Sequence, residues 1–233
     1  DMWDRLASTH PAGHLLQSWA WGELKARYGW QVERLALFAE GEPVAGAQAP
    51  TYTLHWGTAG SGPGQFSNPR GILVDGSGDI HVVDSGNGRV QIFDITGVYL
   101  GQWGGFGANP GQFNSPEGIA ADGSGNLYVV DTGHDRAMKY TAAGAFLAQW
   151  GSLGGGAGQF DFPVGVAADG AGHVYVADTF NHRVQKFTTA GVYVTEWGTA
   201  GSGPGEFEYP RAVAVDAAGD VYVVDTLNHR IQK

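Results

Sequence analysis

DTFNHRVQKF, from Asp178 to Phe187, is the stretch that decides the fold of this chain. A near copy, DTLNHRIQK, runs from Asp225 to Lys233, and a looser one, DSGNGRVQIFD, from Asp84 to Asp94. In each, an Asp closes an apolar run, small turn-forming residues follow, and an Arg opens the next β-rich run. The spacing extends well beyond these words. Trp56, Trp103, Trp150 and Trp197 stand 47 residues apart, as do Phe66, Phe113, Phe160 and Phe207, and Pro69, Pro116, Pro163 and Pro210. A fixed period over that length marks a repeat protein. WGTAGSGPG occurs word for word at Trp56 to Gly64 and at Trp197 to Gly205, as duplication of a unit would leave it.

Each unit reads as four short strands. In the first they are Gly71 to Asp75, Ile80 to Asp84, Arg89 to Asp94 and Val98 to Trp103, separated by DGSG, SGNG and ITG turns. The runs are β-branched or aromatic, and the Gly and Asn between them supply the positive φ of tight hairpins, so neighbouring strands should be antiparallel. One such sheet cannot bury both faces alone. Sheets packed one after another round an axis solve that problem, so the expected fold is all-β, a β-propeller of four 47-residue repeats, with the small-residue first strand innermost.

Composition sets the limits on function. The 233 residues carry 13 Lys and Arg against 23 Asp and Glu, a formal charge of -10, which repels a phosphate backbone and points away from nucleic acid as a partner. No run approaches the roughly 18 apolar residues of a membrane helix, and no secretory leader is read at Asp1 to Arg5, so the compartment stays open. The absence of Cys removes disulfides and thiol chemistry. The first 50 residues hold 5 of the 39 Gly but four of the eight Trp, so two compositions meet near Pro50: a segment 1–50 and a repeat domain 51–233.

The runs at Asp84, Asp178 and Asp225 resemble the NHL repeat. Asn181-His182-Arg183 and Asn228-His229-Arg230 carry its signature, whereas Asn87-Gly88-Arg89 and His134-Asp135-Arg136 depart from it. The resemblance implies an NHL-type β-propeller, usually of six blades, of which this chain supplies four, the last one incomplete. The segment before it reads as a helix ending near Gly29, followed by a hairpin of Gln31 to Phe38 and Pro43 to Ala47 about the AEGE turn. Its QSWAWGELKARYGW and VAGAQ resemble the opening of Fem-type transferases, which add amino acids from aminoacyl-tRNA to peptidoglycan precursors. That family's acyl-transfer site has no counterpart here, so the segment is expected to be a truncated start fused to the propeller.

Two sets of residues are candidates for a role. Asp84 with Arg89, Asp131 with Arg136, Asp178 with Arg183 and Asp225 with Arg230 recur in every unit, and we expect them to be structural, because catalysis needs convergent, non-equivalent groups. The residue after each repeated Pro varies instead: Arg70, Glu117, Val164 and Arg211 should ring the mouth of the axis, where specificity for a protein or small-molecule ligand can reside. No catalytic residue and no resident metal is expected. The eight His include no HxxxH or HExxH pair, and the calcium-like DGSGD at Asp75 to Asp79 is explained by its hairpin. The alternative is a metal-dependent propeller enzyme of the lyase or lactonase type with zinc or calcium on the axis, a reading that the likeness to peptide-amidating lyases keeps open. The two ends complement each other, since the fourth unit stops after its third strand and Tyr52 to Trp56 reads as an outermost strand. Closure into a ring is thus open by arithmetic, but an open arc, able to self-associate through its blade edges, is the expectation.

Overall fold

The computed structural model describes residues 37–39, 42–44 and 54–233. It divides into one unit of Asp1–Leu54 and another of His55–Lys233, a short way past the expected boundary. In the first unit Leu37–Ala39 and Glu42–Val44 pair antiparallel, so the expected hairpin is present over these residues, and the rest of its expected strands lies outside the described residues. The expected N-terminal helix, and with it most of the Fem-like stretch, lies outside the described residues.

The second unit holds four antiparallel sheets in a propeller arrangement and a short parallel pair, Thr58–Ala59 with Gln65–Phe66, ahead of the first of them. Blade 1 is built from Pro69–Val74, Ile80–Asp84, Arg89–Phe93 and Tyr99–Gly104, and blade 2 from Pro116–Ala121, Leu127–Asp131, Arg136–Tyr140 and Phe146–Trp150. Blade 3 comprises Pro163–Ala168, His173–Asp178, Arg183–Thr188 and Tyr193–Trp197. Blade 4 has three strands, Pro210–Val215, Val221–Asp225 and Arg230–Gln232. The inner strand starts two residues earlier than the sequence suggests because the repeated Pro already pairs with the Asp, Pro163 facing Asp178 and Pro210 facing Asp225. A register shift just after that Pro carries its neighbour out of the ladder toward the axis.

Inner strands contact one another in order, blade 1 to 2 to 3 to 4. Gly71, Gly118 and Gly165 permit this approach, because a Cβ on each would meet the next blade's backbone at 2.5 Å from Glu117 O, 2.5 Å from Val164 O and 2.7 Å from Arg211 O. The core fills the three seams between blades. Val83, Val90 and Trp103 of blade 1 pack on Ile119, Leu127 and Val129 of blade 2, and the pattern repeats down the arc. Trp103 packs against Phe113 and Tyr140 of the following blade, over Gly144.

Leu54 to Trp56 is not a strand, which corrects the sequence reading for the described part of Tyr52 to Trp56. Trp56 nonetheless sits on Phe93 above Gly97, the place that Trp103 and Trp150 take on blades 2 and 3. Among the described residues nothing pairs with the free edge of Arg230–Gln232, and the outward apolar residues of blades 1 and 4 are exposed. Among the described residues the four blades therefore form an open arc.

The turn after each inner strand is closed by an Asp. Asp75 accepts the Ser77 and Asp79 N–H groups and lies 2.9 Å from His81 Nε2, while Asp122, Asp169 and Asp216 accept the hydroxyls of Tyr128, Tyr175 and Tyr222. Burial pushes the first three carboxyls upward, but the donated hydrogen bonds outweigh it and all lie below the ordinary value; at Asp216 the Asp220 N–H is the main cause. A carboxylate whose pKa falls on folding stabilises the fold fully above its unfolded value and loses that contribution as pH drops through the folded one. Chemical denaturation across a pH series should therefore show a loss of stability that begins as pH falls below 3.8 and is reduced in Asp122→Asn.

Candidate functional site

At one end of every blade a buried Asp organises the chain. Arg89 Nε donates to Asp84 Oδ2 at 2.7 Å, Arg136 to Asp131 at 2.9 Å, Arg183 to Asp178 at 2.8 Å and Arg230 to Asp225 at 2.7 Å. The other carboxylate oxygen accepts an N–H from the loop arriving from the outer edge: Ser67, Asn114, Asp161 or Glu208. Each Arg also donates to a carbonyl in that loop, Gln65, Gln112, Gln159 or Glu206. The four pairs thus pin the loop to the second and third strands, and all four Asp side chains are fully buried.

Two further members of this network were not singled out in the sequence, although the 47-residue step carries them. Asn87, Asn181 and Asn228 donate to the Asp and to Gly60, Gly154 and Gly201 O. Gln91, Gln185 and Gln232 bridge the Asp to the loop carbonyl. The residue after the Asn is left-handed in each blade, with φ of 61° at Gly88, 49° at Asp135, 54° at His182 and 52° at His229. At two seams its side chain reaches the next blade: Asp135 accepts the Phe162 N–H at 2.9 Å and His182 Nδ1 accepts that of Tyr209 at 3.4 Å. Blade 2 places His134 and Met138 where the others have Asn and Gln, so its Asp131 makes fewer of these bonds.

Arg70, Glu117, Val164 and Arg211 do lie together. With the residues that follow them on all four inner strands they line one cavity of about 340 Å³. Arg70 Nη1 is 3.7 Å from Glu117 Oε2, and Arg211 is exposed with no hydrogen bond or ion pair among the described residues. No three His, Asp or Glu among the described residues converge into a metal-holding group.

An aromatic cluster at the same end escaped the sequence reading. Phe162 stacks on Phe180 at 4.7 Å, and Tyr209 meets Phe180 at 5.5 Å and His182 at 4.8 Å, the latter two edge-on. Phe162 and Tyr209 hold φ of 53°, a left-handed conformation that bulky side chains avoid; blades 1 and 2 put Asn68 and Ser115 there. Phe180 and Leu227 are exposed at turn positions that are Gly86 and Gly133 in the first two blades. The signal was present as a departure from the repeat rather than as part of it.

Residues 66–93, 160–187 and 207–233 match the NHL repeat family. These three segments are NHL repeats. The unmatched unit is blade 2, the one lacking the Asn and Gln of the network. B-box type zinc finger protein ncl-1 of Caenorhabditis elegans is 39% identical over 61 residues, which is 26% of this chain and 7% of that protein. Among solved structures, a streptogramin B lyase superposes with a TM-score of 0.57 at 18% identity, covering 73% of this chain and 52% of that one. An auxiliary nutrient binding protein from Bacteroides thetaiotaomicron superposes at 0.54 and 18% identity, covering 72% and 47%. The chain spans about half the length of these structures, and at such identity they establish the propeller fold alone.

Burial pushes Asp178 above the ordinary carboxylate range despite the bonds from Asp161, Asn181 and Arg183, whereas at Asp225 the bonds outweigh burial and the shift is downward. Removing Asp178 takes from the buried Arg183 its buried carboxylate and leaves the partly exposed Glu196 as its remaining ion-pair partner. Asp178→Ala should lower the unfolding free energy by about 3 kcal/mol. Asp225→Ala should cost less, because Arg230 is 31% exposed and can turn to water. Denaturant titration of both variants checks the order.

Proposed function

We propose that this chain is a non-catalytic binding scaffold and that the axial end of blades 3 and 4 holds an acidic segment of a protein partner. The observation that carries this reading is the part-exposed aromatic cluster of Phe162, Phe180 and Tyr209, with Tyr209 two residues before an Arg211 that has no ion pair among the described residues. Aromatic and Arg side chains supply most of the energy at protein interfaces, and blades 3 and 4 put Phe162 and Tyr209 at the left-handed loop position where blades 1 and 2 have the small polar Asn68 and Ser115. In a chain of net charge -10, the cavity mouth carries Arg70 and Arg211 against Glu117, a local reversal of sign that suits a carboxylate-bearing ligand.

Fold alone does not choose between binding and chemistry, since a lyase and a nutrient binding protein share it. What favours binding is that the groups which repeat are consumed in holding the blades, while the groups which vary form an aromatic and Arg anchor set, and among the described residues no three His, Asp or Glu converge as a cluster of metal ligands. The metal-dependent lyase or lactonase reading would require such a cluster on the axis.

Peptide display against the immobilised chain tests the proposal. Enriched peptides should be acidic and should bind equally with and without a chelator. Arg211→Glu and Phe180→Ala, both exposed and expected to melt with the parent, should each weaken a selected peptide about tenfold or more. Binding that ignores both substitutions, or that vanishes with the chelator, would overturn the reading.

A further inference from the structure

The seam between blades 1 and 2 and the seam between blades 2 and 3 are matched in their apolar parts. Nine buried residues fill the first, Val83, Val90 and Trp103 among them, and eight fill the second, so apolar burial does not separate the two. The inner strands approach equally closely as well, since a Cβ on Gly71 or on Gly118 would meet the next backbone at the same 2.5 Å.

Their polar parts differ. Across the second seam Thr132 Oγ1 donates to Pro163 O at 2.7 Å, the Phe162 N–H to Asp135 at 2.9 Å and Lys139 Nζ to Thr189 O at 3.0 Å. One repeat earlier the same three places hold Ser85, Gly88 and Ile92, and among the described residues no hydrogen bond crosses from blade 1 to blade 2. Gly88 has no side chain to accept the Ser115 N–H, and Ile92 has no donor. What remains is the contact of Arg70 with Glu117, 3.7 Å long and partly exposed, and such a pair contributes little.

His81 adds a cost to the same seam. It stands at the position of Tyr128, on the strand face that carries Val83, and is 1% exposed. Its Nε2 lies 2.9 Å from Asp75 Oδ2, while its Nδ1 is buried with no hydrogen-bond partner. Tyr128 has one polar group and donates it to Asp122. The His81 Nδ1 gains a partner when water reaches it, so opening this seam relieves a desolvation cost that the second seam does not carry at that position.

We infer that the arc hinges at the seam between blades 1 and 2, and that this hinge opens the mouth of the axial cavity. Apolar packing is non-directional and holds two faces together without fixing the angle between them, whereas each hydrogen bond fixes a distance and a direction. Blades 2 and 3 are locked by three such bonds and move as one body. Arg70 and Glu117 stand on opposite sides of the hinge and both line the cavity, so parting the seam separates them. The hinge governs access and is independent of whether the ligand is an acidic segment.

The chain contains no Cys, so a single introduced thiol reports the opening of one seam. Val83→Cys and Val130→Cys occupy one repeat position on the two seams, and both side chains are fully buried. Their reaction with dithionitrobenzoate is followed on the full chain at denaturant concentrations below the unfolding transition. Val83→Cys should react about tenfold or more faster than Val130→Cys, with a shallower denaturant dependence than global unfolding because only one seam is exposed. Adding His81→Tyr and Ser85→Thr, which place the blade 2 residues at those positions, should slow Val83→Cys toward the rate of Val130→Cys. Should either thiol variant lose its cooperative melting transition, Val90→Cys and Ala137→Cys, likewise equivalent and fully buried, carry the same comparison. At the mouth, spin labels on Arg70→Cys with Glu117→Cys should show a wider spread of distances than labels on Glu117→Cys with Val164→Cys. Equal labelling rates at the two seams, a Val83→Cys rate that follows global unfolding or ignores the two added substitutions, or equal spreads of distance at the mouth would overturn the inference.

Discussion

The fold depends on a carboxylate buried beside a guanidinium at the end of each blade. A fully buried Asp is costly unless every lone pair is used, and here the Arg Nε, a loop N–H and, in three blades, Asn and Gln amides use them. The Arg spends its remaining donors on loop carbonyls and, in blades 1 to 3, on an outer-strand side chain, Gln102, Gln149 or Glu196. The Gly-rich connector from one blade to the next would otherwise be the least ordered part of the molecule. The ion pair thus fixes where the incoming inner strand begins, and so fixes the position of the variable residue two places after that loop.

Blade 2 shows which part of this device is indispensable. It keeps Asp131 and Arg136 but has His134 for Asn and Met138 for Gln, and Met138 is fully buried beside Tyr140, whose hydroxyl lies 3.5 Å from its sulfur. Replacing an amide by an apolar side chain of similar length removes a bond and a desolvation cost together, which is why such swaps are tolerated where removal of one charge is not. Family matching follows the amides and misses blade 2; the sheet itself follows the charges and is intact.

The repeat and its strands were legible in the sequence because they rest on period-47 identities and period-2 alternation, both local. Ile80 to Asp84 coincides with the observed strand, and the placing of Arg70, Glu117, Val164 and Arg211 round one cavity followed from symmetry. The short 3-10 turns at Ser85–Asn87, Thr132–His134 and Thr226–Asn228 were hidden, since their residues read equally well as plain hairpin turns. The aromatic cluster was hidden for the opposite reason: Phe162, Phe180 and Tyr209 are separated by a strand pair or a seam, and only the left-handed loop brings them together. The strand expected at Tyr52 to Trp56 failed in its described part because strand formation there needs a neighbour's edge, a tertiary condition no local pattern encodes.

A chain of equivalent blades solves the packing problem once and reuses the solution, which leaves any individual property to be written in the departures. Polar Asn68 and Ser115 give way to Phe162 and Tyr209 at one loop position, Gly86 and Gly133 to Phe180 and Leu227 at another, and Gly71, Gly118 and Gly165 to Ala212 on the inner strand. All of these replacements fall in blades 3 and 4. The first two load one end of the arc with aromatic and apolar side chains, and the third puts a methyl where the other inner strands have none. The repeat therefore sets the scaffold at every seam, while the far half of the arc carries the departures on which the proposed binding rests.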